Sequence, residues 1–172
     1  MKHSKIDFKK VKAVIFDFDG VFTDNTVFVS SDGAEALRFS KLDSLGIDLF
    51  REFTQSHNLN LDLVVITKEK SEIVAIRAKK LGLRVVQGVQ NKWTYISQEL
   101  LLKPNEFIYF GNDLNDLESM QNSLMSFAPV DAHHKIKEVA TRVLQQQGGG
   151  GFVREGLELL MEIEFMEKGR TK

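Results

Sequence analysis

Lys12-Ala13-Val14-Ile15-Phe16-Asp17-Phe18-Asp19-Gly20-Val21-Phe22-Thr23-Asp24 is the stretch whose reading decides the fold. A β-branched and aromatic run, Val11 to Phe16, stops at two carboxylates and a glycine. The run predicts a buried strand, and Asp17-Phe18-Asp19-Gly20 predicts the turn that ends it. In an open parallel sheet, ligands bind beyond the carboxyl ends of the strands. Two acids placed there repel each other, and a cation is the usual remedy. A metal beside two acids points to a reaction. The bland alternative is an acidic turn with no chemistry. The fully apolar strand before it and the glycine after it speak against that.

Further along, other strand ends carry polar groups. Leu61 to Thr67 reads as a buried strand closing on a hydroxyl, and Phe107 to Phe110 as one closing on Gly111-Asn112-Asp113-Leu114-Asn115-Asp116. Lys92 opens a predicted helix, Lys92 to Leu102, where the macrodipole disfavours a cation. Between these lie a short strand, Arg84 to Val86, and a helix over Lys70 to Leu81. That helix turns Val74, Ala78 and Leu81 inward and ends at Gly82. Leu42 to Phe53 carries Leu45, Leu49, Phe50 and Phe53 at helical spacing. Leu114 to Gln121 and His133 to Ala140 are helix candidates. Val153, Leu157, Leu160 and Met161 give a last helix its apolar face, behind the loop Gly148 to Gly151. The charged end from Glu158 to Lys168 reads as packing rather than chemistry.

Strands alternating with helices predict an α/β fold, a Rossmann-like parallel sheet with helices on both faces. One departure follows the first strand. Thr26 to Ser30 and Ala36 to Ser40 flank the turn signal Ser31-Asp32-Gly33, which predicts a β-hairpin inserted at about residues 21–40.

At 172 residues the chain is expected to form one domain, 1–172, with a real core. A net charge of -1 gives no electrostatic case for nucleic acid. No cysteine is present, which excludes disulfides and thiol chemistry. The basic start, Met1 to Lys12, has no apolar run behind it, so no signal peptide is expected. No apolar run reaches membrane-spanning length, and the cytoplasm is the expected compartment.

In order, Asp17-Phe18-Asp19-Gly20, Val64 to Thr67, Lys92 and Phe107 to Asp116 resemble the four motifs of the haloacid dehalogenase phosphohydrolases. The resemblance covers most of the chain. It implies an aspartyl-phosphate mechanism. Asp17 is then the nucleophile, already ionised at neutral pH and in need of charge neutralisation rather than a base. Mg²⁺ supplies that neutralisation, held by Asp17, Asp19 and the acidic end of the last motif. Asp19 protonates the leaving alkoxide and then activates water. Gly20, Thr67 and Lys92 bind the phosphoryl group. The family has Asp where this chain has Asn112, whose amide oxygen still ligates Mg²⁺ but without charge. Asn112 therefore ranks first as a metal ligand here and Asp113 a close second. An Asp113–Asp116 capping box is compatible with that role. Lys68 stands where relatives have glycine, and either adds a phosphate-binding charge or crowds the site.

Beyond the four motifs, Leu42-Asp43-Ser44-Leu45-Gly46-Ile47, Gln87 to Lys92 and the glycine loop with Arg154 resemble the small phosphatases of ulosonic acid phosphates. These lack the cap domain inserted in other relatives, and only a hairpin and one helix separate the first two motifs here. The implied substrate is a phosphorylated sugar acid: KDN or N-acylneuraminate 9-phosphate, or KDO 8-phosphate. Glu69 favours the nine-carbon acids, and Asp43, Glu69, Arg77 and Arg154 are its candidate contacts. Glu69 and Arg77 equally suit a solvated helix face. The family is tetrameric, which implies a homotetramer whose neighbouring subunits complete each site. The sequence leaves two alternatives. One is a non-catalytic or weakly active assembly domain of the kind associated with acylneuraminate cytidylyltransferases. The other is a small-molecule phosphatase of broad specificity.

Overall fold

Alternation along the first strand explains how the core is split. In the computed structural model, which describes residue 8 and residues 10–169, with side chains as far as residue 163, β1 spans Ala13–Phe16. The basic N-terminal start lies largely outside the described residues, as do the side chains at the far end of the charged tail. Successive side chains of a strand point to opposite faces. Val14 and Phe16 pack with Ile47, Phe50, Val74, Ala78, Leu157 and Leu160 on one face of the sheet. Ala13 and Ile15 pack with Ile96, Met120 and Ile136 on the other. A strand buried on both faces must read apolar throughout, as this one does.

The chain then forms β2 (Phe28–Val29), β3 (Glu35–Ala36), α1 (Lys41–Ser56), β4 (Asp62–Ile66), α2 (Glu72–Lys80), β5 (Arg84–Val86) and α3 (Lys92–Gln98). It continues with β6 (Phe107–Phe110), a 3₁₀ turn (Leu114–Asp116), α4 (Leu117–Asn122), β7 (Met125–Ala128), α5 (His134–Val139), β8 (Arg142–Val143) and α6 (Phe152–Gly169). Six strands form one sheet in the order β5-β4-β1-β6-β7-β8, and every pairing in it is parallel. The fold is α/β, as expected. β4 and β6 flank β1, so the chain winds outward from β1 on one side and then returns to its other side. That reversal is the switch point where such sheets bind ligands.

Register sets the site. Phe16 is opposite Val65 in β4 and Phe110 in β6. Asp17, Thr67 and Asn112 therefore leave three adjacent strands at one edge. The hairpin pairs only Phe28 with Ala36 and Val29 with Glu35, and belongs to no larger sheet. Among the described residues, no helix is long and apolar enough to cross a membrane.

Three local expectations need correction. The buried face of α1 is Asp43, Gly46, Ile47 and Phe50, while Leu45 is exposed. The cause is α6, which lies so close that a Cβ on Gly46 would stand 2.7 Å from Arg154 Cα. α3 stops at Gln98 rather than near Leu102, and Leu101 adopts a left-handed φ of 54° beyond it. The helix expected over Leu114 to Gln121 opens as the 3₁₀ turn, because Asp113 and Asp116 cap each other's backbone there. β7 and β8 carry no alternating pattern of useful length, and periodicity does not reveal them.

Candidate active site

Lys92 is the centre of the site's electrostatics. Asn91 caps α3 by accepting the Thr94 N–H at 2.8 Å, which makes Lys92 the first helical residue. Its side chain is 1% exposed, with Nζ 2.6 Å from Asp17 Oδ1 and 2.7 Å from Asp116 Oδ1. A lysine is buried this deeply only when paired. Asp17 and Asp116 hold its pKa above the usual lysine value despite the opposing effect of burial.

Two buried carboxylates thus share one ammonium. Asp17 has its pKa pushed up to about 7, by burial first and then by the charge of Asp116, against the pull of Lys92. Its Oδ1 also accepts the Phe18 N–H at 2.7 Å. Asp19 is raised by burial and by the nearby charge of Glu69. Its Oδ1 accepts the Thr23 hydroxyl at 3.4 Å, while Thr23 Oγ1 accepts the Gly20 N–H at 3.1 Å. Thr23 therefore ties the acid to the turn that carries it.

The sequence marks Asp116 only as a cap. The structure makes it the hub of the last motif. Oδ1 accepts Lys92 Nζ at 2.7 Å and the Tyr109 hydroxyl at 2.8 Å. Oδ2 accepts the Asn112 N–H at 2.9 Å and the Asp113 N–H at 3.3 Å. Burial and the charge of Asp116 hold the Tyr109 hydroxyl well above its usual pKa, so it remains a donor. A Cβ on Gly111 would fall 2.7 Å from Asp116 Cγ, so glycine there permits the close approach.

The cleft above these residues has a volume of about 290 Å³ and is lined by Asp17, Asp19, Asn25, Thr67, Lys68, Glu69, Gln90, Asn112, Asp113 and Asn115. A second hollow of about 380 Å³ shares Asp19, Asn25 and Glu69 with it and runs along the hairpin past Val27, Glu35 and Leu37. Glu69 thus stands where the two meet. Asn25 lines the cleft without a sequence signal that would mark it, and Gln90, inside the Gln87 to Lys92 stretch, lines it too. Three of the sequence candidates sit elsewhere. Asp43 Oδ1 accepts the Arg154 backbone N–H at 3.1 Å. Arg154 Nε lies 2.8 Å from Glu158. Arg77 donates to Ser40 O at 3.2 Å and to Ser44 Oγ at 2.7 Å, over the Phe39 ring. None of the three lines the cleft.

Fit to a hard cation can be judged from these atoms. Asn112 lines the cleft and is 7% exposed. Its Oδ1 has no hydrogen-bond partner among the described residues. A buried amide oxygen left without a donor is costly unless something else takes its lone pairs. Among the described residues no three His, Cys, Asp or Glu side chains gather as a metal cluster. A cation here would rest on Asp17, Asp19 and the Asn112 amide. That is an oxygen set suited to Mg²⁺ rather than to a metal seeking thiolate or imidazole. Asp113 Oδ1 is already engaged by the Leu114 N–H at 2.7 Å.

Comparison with known proteins agrees with this arrangement. Residues 39–154 match the haloacid dehalogenase-like hydrolase family. The 3-deoxy-D-manno-octulosonate 8-phosphate phosphatase KdsC of Salmonella typhi is 31% identical over 157 residues, 89% of this chain and 80% of that protein. The enzyme of that name from Moraxella catarrhalis, solved with magnesium, phosphate and KDO, superposes with a TM-score of 0.80 at 27% identity, over 94% of both chains. The cobalt-bound octulosonate 8-phosphate phosphatase of Haemophilus influenzae gives 0.79 at 26% identity, over 92% of this chain and 91% of that one. The non-catalytic alternative gives way to these findings. The chain belongs to the haloacid dehalogenase-like hydrolases, and it is a phosphatase.

Proposed function

We propose that this chain is a Mg²⁺-dependent phosphomonoester hydrolase that works through an aspartyl-phosphate on a 3-deoxy-ulosonic acid phosphate. The observation that carries the reading is the buried Asp17–Lys92 contact of 2.6 Å at the floor of a cleft that also holds Asp19. Burying such a pair costs desolvation free energy that its mutual attraction need not repay, so the burial points to a use beyond stability.

Lys92 offsets the charge of Asp17 as a phosphate dianion approaches. The Asp17 carboxylate attacks phosphorus, and the bond to the leaving oxygen breaks. Asp19, favoured in its protonated form by burial and Glu69, gives its proton to that oxygen. As a carboxylate it then takes a proton from water, which attacks the phosphoryl group and releases Asp17 and inorganic phosphate. Thr67, the Gly20 turn and Lys92 bind phosphoryl oxygens in this scheme, and Lys68 lines the same cleft. A bound Mg²⁺ supplies further charge neutralisation between carboxylate and phosphate.

The names of the relatives favour KDO 8-phosphate. The position of Glu69 between the phosphate cleft and the second hollow favours a polyhydroxylated leaving group, because a carboxylate accepts hydrogen bonds from hydroxyls. KDN and N-acylneuraminate 9-phosphate remain in the proposal on that ground. Asp43, Arg77 and Arg154 enter it only as distant supports of the site. Exposed Val27, Phe28 and Val29 support an assembly in which hairpins cover one another. The proposed assembly is a homotetramer whose neighbours complete each site, and the proposed compartment is the cytoplasm.

The test is a panel of KDO 8-phosphate, KDN 9-phosphate, N-acetylneuraminate 9-phosphate and simple sugar phosphates, with and without Mg²⁺. A sugar-acid phosphate should lead the panel, and only with metal. Asp17→Asn should abolish turnover in a folded protein. Flat rates across the panel would favour broad specificity, and a turning-over Asp17→Asn would defeat the mechanism.

A further inference from the structure

Tyr109 lies in β6 with its ring among Phe107, Ile96 and Met120, and its side chain is fully buried. A phenylalanine would fill that space. Burying a hydroxyl costs free energy unless it is bonded, so the oxygen has a use beyond packing. Its proton goes to Asp116 Oδ1 at 2.8 Å, the same oxygen that accepts Lys92 Nζ at 2.7 Å. Asp116 is fully buried as well. Its other oxygen takes the Asn112 and Asp113 N–H groups. A carboxylate has about four acceptor sites, and Asp116 meets four donors. The four donors come from three parts of the site: the lysine on α3, the tyrosine on β6, and two consecutive amides of the loop beyond it.

Without the Tyr109 proton, Asp116 Oδ1 has Lys92 as its sole donor among these. The lysine would then be drawn towards Asp116 and away from Asp17, since the two carboxylates compete for one ammonium at 2.7 Å and 2.6 Å. We infer that Tyr109 is a positioning residue for catalysis: its hydroxyl saturates Asp116 so that Lys92 stays shared with the nucleophile. The inference rests on the reading of Asp17 as nucleophile and Lys92 as its partner. Tyr109 does not line the cleft, and Asp116 is the group that links its hydroxyl to Lys92 and so to the nucleophile.

The experiment uses p-nitrophenyl phosphate with saturating Mg²⁺ and counts active molecules by the folded fraction. Tyr109→Phe should lower kcat about tenfold while KM stays within about twofold, the pattern of an interaction realised in the transition state. In an Asp116→Asn background the same change should add less than about twofold, because the group through which it acts is already altered. A kcat per folded molecule equal to wild type overturns the inference, even if the melting temperature falls. A loss confined to KM, or an equal loss in both backgrounds, overturns it too. Asp17→Asn tests the underlying reading separately: its turnover bears on the nucleophile, and Tyr109→Phe bears only on the positioning.

Discussion

A Cβ on Gly20 would stand 1.9 Å from Asn112 Nδ2, so the turn after β1 and the loop after β6 touch through a missing side chain. Gly20 also has a left-handed φ of 74°. Contact and conformation select the same residue. Gly20→Ala should therefore cost about 1–3 kcal/mol in thermal unfolding. It should also push Asn112 from the cleft and lower kcat more than tenfold, on the order of a displaced catalytic group. Phosphate-release assays on the folded variant check the second effect.

Asn112 offers an uncharged oxygen where a carboxylate would fit. Asn112→Asp adds a charge without adding bulk and should tighten Mg²⁺ binding about tenfold, as ligand charge count tunes hard-cation sites. Titration calorimetry on the metal-free protein measures it. Unchanged affinity would place the side chain outside the coordination sphere and promote Asp113.

Asp43 gives a pH dependence of known sign. Burial pushes its pKa from 3.8 up to about 6, against the pull of the Arg154, Val153 and Gly151 backbone N–H groups and the charge of Arg77. The folded state thus holds its proton longer than the unfolded chain. No cost exists below the unfolded value of 3.8. The cost grows as pH rises through the window and is complete above about 6, reaching about 3 kcal/mol. Asp43→Asn should remove that part of the slope and leave the protein more stable at neutral pH. Urea unfolding of both proteins at a series of pH values checks it.

Glu69→Arg should alter the ratio of nine-carbon to eight-carbon substrates about tenfold or more. Cleavage of a small generic phosphate should change less than that ratio does, and only through the lost support of Glu69 for protonated Asp19, an effect common to all substrates. An unchanged ratio would remove Glu69 from substrate recognition. Light scattering on the same samples reports the assembly, and a fully active monomer would remove the neighbour from the site.

The parts legible in the sequence are those that strand ends make local. Asp17, Asp19, Thr67 and Asn112 each follow an apolar run, and parallel register brings such positions together whatever the helices do. Lys92 was legible because it sits badly at a helix start. Asp43, Arg77 and Arg154 were harder, because their partners are set by how α1, α2 and α6 pack. Arg154 has a carboxylate four residues along its own helix, and no spacing argument shows which anion an arginine will choose. Tyr109 reads as one more apolar strand residue, since its hydroxyl matters only once Asp116 is placed beside it. Leu45 lies outside the buried face because α6 covers α1 at Gly46, a contact between elements far apart in the chain.

The two-sided packing of β1 also fixes the register of the site. Val14 and Phe16 belong to one core and Ala13 and Ile15 to the other. A slip of β1 by a single residue against β4 and β6 would send every one of these side chains to the wrong face. It would also leave Asp17 one rung out of step with Thr67 and Asn112. The hydrophobic pattern therefore works as an indexing mechanism for the chemistry. A chain that mis-registers its nucleophile also loses the core that would hold the error in place, so misaligned sites are removed by unfolding rather than kept as idle enzyme.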